Sequence, residues 1–94
     1  MTVQTEPIAA PKQKIYNKFI SITPVQEFAP EDMKALRHKL GLSQSMLASI
    51  LGVHRRAVEA WEIGRKTPNP SARRLMTLLE ADPDAIQRNG IAEW

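Results

Sequence analysis

Ninety-four residues suffice for one compact domain and not for two, and 43% hydrophobic with 24% charged residues is the balance of a globular chain. Thirteen Lys and Arg against ten Asp and Glu leave a net charge of +3 and a pI near 9.6, mildly basic but short of a polybasic tail. The absence of cysteine excludes disulfide scaffolds, thiol nucleophiles, iron–sulfur clusters and thiolate-ligated zinc.

The chain divides near Phe28. Residues 1–28 carry Pro7, Pro11 and Pro24, with Pro30 just beyond. Between these breaks, Ile15-Tyr16-Asn17-Lys18-Phe19-Ile20-Ser21-Ile22 is rich in β-branched and aromatic residues and suits a strand. No second strand-like run exists to pair with it, and an isolated strand is not stable. Residues 1–28 therefore read as an extended or disordered arm, flexible or ordered by a partner, ahead of a domain over 29–94.

From Ala29 the pattern is helical. Pro30 suits a first helical position, and Glu31 and Asp32 place negative charge at the positive end of the dipole. Met33, Leu36 and Leu40 then fall on one face, and Gly41 stops the helix. Ser43 caps a second helix of about eight residues, with Leu47, Ile50 and Leu51 as its apolar stripe and Gly52 as its end. A third runs from His54 or Arg55 to Ile63, buries Val58 and Trp61, and ends at Gly64. Asn69-Pro70 caps and opens a fourth, whose apolar face is Ala72, Leu75, Met76 and Leu79. Asp82-Pro83 repeats that grammar for a fifth, ending near Gly90.

Leu42 to Trp61 is the informative stretch. Two short helices separated by a glycine-containing turn have helix-turn-helix spacing. Ala48 is small enough for close helix approach, Gly52 can take positive φ in the sharp turn, and Val53 plugs the corner. An α-helix fits the major groove with its N-terminal residues facing base edges. With Val58 and Trp61 inward, positions 55, 56, 59 and 60 face outward and 62 lies at the flank. Arg55 and Arg56 stand at the groove-entering end, against the helix dipole, so either suits the bidentate contact to guanine. Glu59 can accept from cytosine or simply offset Arg55 through an i, i+4 pair, the reading favoured here. Ala60 offers at most a touch on a thymine methyl. His54, near the helix start, is a cap or a phosphate contact.

Residues 36–70 resemble the Xre-type, phage-repressor-like helix-turn-helix family. They carry its Leu40-Gly41-Leu42-Ser43-Gln44 opening, its Leu51-Gly52-Val53 turn and its Trp61-Glu62-Ile63-Gly64 to Pro68 ending. The stretch from Phe28 through Glu80-Ala81-Asp82-Pro83 is similar, more narrowly, to HigA-type antitoxins and the DNA-binding half of MqsA-type antitoxins. The lack of cysteine excludes the zinc-binding half of the latter. The resemblance implies an all-α, five-helix domain that binds double-stranded DNA as a transcriptional repressor, and an antitoxin that autoregulates its operon. It also implies that Gln44 holds backbone phosphate with Ser43 assisting as the cap, and that the loop bearing Arg65 and Lys66 runs along the phosphodiester chain. In related repressors an arginine seven residues before the glutamine pairs with the glutamate after the tryptophan. The matching pair here is Arg37–Glu62. Half exposed, it is worth about 0.5 kcal/mol and turns Arg37 toward phosphate.

Other chemistries find little support. His38 and His54 lie on separate helices without carboxylates at metal-ligand spacing, so neither a metal nor a cofactor is expected. Gly64-Arg65-Lys66-Thr67 imitates the end of a P-loop, but the earlier glycine position is Glu59 and no strand precedes it. No serine sits in a nucleophile elbow, and Glu59 and Glu62 lie on a thin helical domain without room for a water-excluding pocket, so an enzyme is not expected. No run of about 18 apolar residues occurs, and the first 20 residues lack a signal-peptide layout; the expected location is cytoplasmic. RNA binding would want more stacking aromatics than Tyr16, Phe19, Phe28 and two tryptophans supply.

One recognition helix reads few base pairs, so specificity implies a homodimer on a palindrome with half-sites ~34 Å apart. Leu78, Ile86, Ile91 and Trp94 are candidates for the dimer face. The alternative from a different class is a protein-interaction module that neutralises a toxin by docking the Ile15–Ile22 arm; a stand-alone phage-type repressor is the remaining option.

Overall fold

The computed structural model describes residues 21–93. Among them the regular structure is wholly helical: α1 (Pro30–Lys39), α2 (Gln44–Leu51), α3 (Arg55–Glu62), α4 (Pro70–Ala81) and α5 (Ala85–Arg88). The caps set these limits. Ala29 N–H donates to the Asp32 carboxylate at 2.9 Å, ahead of Pro30 at the first helical position. Ser43 Oγ accepts from Met46 N–H at 3.1 Å, and Asn69 Oδ1 from Ala72 N–H at 2.8 Å. Each satisfies an amide that has no partner within its own helix.

The expected apolar stripes converge. Met33, Leu36, Leu40, Leu42, Leu47, Ala48, Val58, Trp61, Ala72, Met76 and Leu79 form one buried cluster, with Ile50, Leu51, Val53 and Leu75 packed against it. Phe28, at the junction where the sequence divides, belongs to this core at 5% exposure. Of the strand-like run, Ile15 to Ile20 lies outside the described residues; Ser21 and Ile22 are exposed and irregular.

Residues 23–27 form a strap on α4. The Thr23 carbonyl accepts from Arg74 at 2.9 Å, and Glu27 pairs with Arg73 at 2.9 Å. Gln26 accepts from Thr77 and donates to Glu80, each at 3.4 Å. Lys39 ties the C-terminal end of α4 to α1, donating to the Glu80 carbonyl at 3.0 Å.

Two expectations change at the C-terminal end. Asp82 does not cap the last helix: its backbone is the C-cap of α4, and its carboxylate pairs with Arg88 across the turn. With Asp82 committed to that turn, α5 starts after Asp84 and lasts four residues, ending beside Gly90 as expected. Ile86 is fully buried in the domain's own core and is removed from the dimer-face candidates. Leu78 and Ile91 stay exposed, at 58% and 55%, whereas Trp94 lies outside the described residues.

Candidate nucleic-acid interface

The geometry of the site follows from how α2 turns into α3. Gly52 ends α2 with φ +74°, a left-handed conformation that glycine takes without steric cost. Its N–H and that of Val53 return to carbonyls of Ala48 and Ser49, closing the corner in one turn. The half-buried Val53 packs on the core there, and Leu47, Ala48, Val58 and Trp61 fill the angle between the helices.

This burial decides which side of α3 is offered to a ligand. Arg55 and Arg56 are exposed at its first turn, and Glu59 is partly exposed one turn on. Arg55 and Glu59 form the anticipated i, i+4 pair at 3.4 Å; with their side chains 55% and 38% exposed, it is a solvent-screened contact. His54 is the N-cap, its Nδ1 accepting from Arg56 N–H at 3.1 Å. That ring therefore fixes the backbone from which both arginines project.

Ala60, expected on the outward face, is 8% exposed. Its carbonyl accepts from both Arg65 N–H, at 2.8 Å, and Lys66 N–H, at 3.3 Å. These bonds close the end of α3, and the exposed side chains at its start are those of Arg55 and Arg56.

Arg37 and Glu62 are joined as expected, but far more deeply than a half-exposed pair. Arg37 Nε donates to Glu62 Oε2 at 2.7 Å and Nη2 to Oε1 at 3.0 Å, a bidentate contact, while Nη1 donates to the Leu42 carbonyl at 3.1 Å. The Glu62 side chain is 2% exposed and that of Arg37 15%. Gln44 Nε2 adds a bond to Glu62 Oε1 at 3.1 Å, which spacing alone did not reveal. Burial pushes the Glu62 carboxyl up, yet hydrogen bonds from Arg37 and Gln44 and the charges of Arg37 and Lys34 outweigh it and hold the group below its ordinary value. The hydrogen bond to Glu62 keeps Arg37 firmly protonated against its own desolvation. One carboxylate thus ties α1, α2 and α3 together and orients Gln44 at the opening turn of α2.

Arg65 and Lys66 are exposed in the loop after Gly64. Gly64 has φ +77°, and a side chain there would meet the Pro30 ring at 3.5 Å, so the loop passes close to the first turn of α1. Among the described residues no group of three His, Asp or Glu is placed to hold a metal. An open groove of about 300 Å³, lined by Leu42, Met46, Ile50, Ile91 and Ala92, runs along α2; neither Glu59 nor Glu62 lines it.

This geometry has a counterpart in known sequences. The helix-turn-helix family model matches residues 33–82, more than half of the chain, from the second turn of α1 through the end of α4. The chain belongs to the helix-turn-helix family, in its Xre-type branch. It is also 29% identical over 58 residues to Antitoxin HigA-2 of Vibrio cholerae serotype O1, an alignment covering 62% of this chain and 56% of that protein. The chain therefore spans little more than half the length of this curated relative. Among the described residues no helix is long and apolar enough to cross a membrane.

Proposed function

We propose that this chain is a sequence-specific, double-stranded DNA-binding transcriptional repressor, and the antitoxin of a toxin–antitoxin pair whose operon it autoregulates. The observation that carries the DNA reading is the pair of exposed arginines at the start of a helix whose opposite side is locked in the core. Arg55 and Arg56 enter the major groove and read base edges, with Glu59 beside them able to accept from cytosine. Gln44 and Ser43 at the start of α2, His54 at the start of α3, and Arg65 and Lys66 in the following loop hold backbone phosphate. Arg37 assists with the N–H groups that Glu62 and Leu42 leave free. No catalytic role is proposed for any residue, and the protein acts in the cytoplasm, with its operator.

A homodimer on a palindrome supplies the specificity that a single recognition helix lacks. Binding to a duplex carrying the protein's own upstream region, measured across a salt series, tests the reading. The expected result is tight binding with a steep salt slope, far looser on scrambled sequence. Loss of both arginines in Arg55→Ala/Arg56→Ala should reduce the difference between the two sequences. Weak binding, equal on both duplexes and indifferent to the two arginines, would refute it.

The antitoxin half rests on the likeness to HigA-2; toxin binding is proposed for the arm on the strength of its strand-like run. Ile15 to Ile22 docks as an added strand or folds on the toxin. The strap on α4 supports this division, because its polar contacts engage neither α2 nor α3. Removing residues 1–22 should abolish binding of a toxin encoded next to this gene and preserve DNA binding; retained toxin binding would move that role to the helical domain.

A further inference from the structure

Resting on the DNA-binding reading, we infer that Lys34, on α1, is a further phosphate-contacting residue and extends the backbone-tracking surface of Arg65 and Lys66 onto the first helix. Three observations place it there. Pro30 and Lys34 are one turn apart on the same face of α1, and the Pro30 ring abuts Gly64, immediately before Arg65 and Lys66. Arg37, three residues beyond Lys34 on that face, reaches Glu62 at the end of α3. The face 30–34–37 therefore lies along the junction of α3 with its following loop. Lys34 is also close enough to Glu62 for its charge to help keep that carboxylate ionised.

Arg37 and Lys34 differ in what they have left to offer. Arg37 already directs Nε, Nη1 and Nη2 to Glu62 and Leu42 and is 15% exposed. Lys34 is exposed and makes no hydrogen bond or close ion pair with any described residue. A compact ammonium on a flexible stem suits a phosphate oxygen without directional demands. In this arrangement Arg37 positions the site and Lys34 supplies the mobile charge.

Phosphate contacts carry no sequence information, so any duplex serves as the probe. The experiment measures the full chain on a random-sequence 24-base-pair duplex, and on its own upstream region, between low and moderate salt. Each phosphate contact contributes about one to the slope of log K against log salt, so Lys34→Gln should lower that slope by about one on both duplexes. Its melting temperature should stay at the wild-type value, and Lys34→Arg should restore the slope. A wild-type slope in Lys34→Gln, alongside a reduced slope in Lys66→Gln, would overturn the inference while leaving the DNA reading intact. Absence of wild-type binding to either duplex at low salt would overturn both.

Discussion

Glu62 illustrates how one side chain sets the terms for a whole site. A carboxylate with 2% exposure would ordinarily shed its charge, yet three hydrogen bonds, two from Arg37 and one from Gln44, keep it ionised. Replacing it by alanine leaves a mostly buried guanidinium and an amide without their acceptor. Breaking such a pair costs about 3 kcal/mol, which in a domain of this size lowers the melting temperature by more than 10 °C. The pH dependence has a definite sign. Because its folded-state value lies below the ordinary one, the carboxylate's contribution is fully present above the unfolded value, near 4.3, and is lost as pH falls through the folded value. Thermal melts from pH 7 downward should therefore show wild type losing stability below about pH 5. Glu62→Gln, weaker at pH 7, should lack this part of the acid-side decline; identical slopes in the two proteins would contradict the assignment.

At the scale of the elements, the turn and the caps hold α3 at its angle. Gly52 has open space where a Cβ would stand, so alanine there meets only the backbone penalty of positive φ, about 1 kcal/mol or somewhat more. Ser43→Ala should cost a similar amount, about 1 kcal/mol, through the lost bond to Met46 N–H. Chemical denaturation would show both as shifts in midpoint without a change in slope. Much of this was legible beforehand, because Ser43, Gly52 and Asn69-Pro70 signal locally: their conformational preferences act on the adjacent backbone. The apolar stripes were legible for the same reason, as each repeats within one helix. What escaped was non-local. Ala60, placed on the outward face by helical spacing, is buried, and its carbonyl takes the returning Arg65 and Lys66 amides of the following loop. Asp82-Pro83 has the grammar of a helix start, but Arg88 captures the aspartate and delays that start. Within the candidate site, the positions of Arg55 and Arg56 were readable from helical spacing, and the Arg37–Glu62 pair from the family resemblance. The bond from Gln44 to Glu62 was not, since it depends on the crossing of α2 over α3. Lys34 could have been found by counting one turn from Pro30 and three residues back from Arg37, had the contact between α1 and the 63–66 loop been known.

For the molecule as a whole, the proposed division between arm and domain comes down to where the chain begins to contribute buried surface. Ser21 and Ile22 are exposed, Thr23 to Glu27 contribute polar contacts to α4, and Phe28 is the first described residue in the core. Truncation from the N-terminus should thus have a graded effect with one sharp step. Removing residues 1–22 leaves the strap and the core and should keep the melting temperature within a few degrees of wild type. Removing residues 1–27 deletes the partners of Arg73, Arg74 and Thr77, contacts that are largely exposed and worth about 1 kcal/mol or less each. Arg73 has the most to lose, since its Nε is already buried without a partner among the described residues and Glu27 supplies its ion pair. Extending the deletion through Phe28 also empties an aromatic site in the core. Truncating a buried phenylalanine costs about 3–5 kcal/mol, a large share of the total stability of a small domain. Circular-dichroism melts of the three truncations should therefore fall slightly, moderately and then steeply, with duplex binding surviving wherever the helical signal survives. A steep loss at residue 22 would instead place part of the folded domain within the arm.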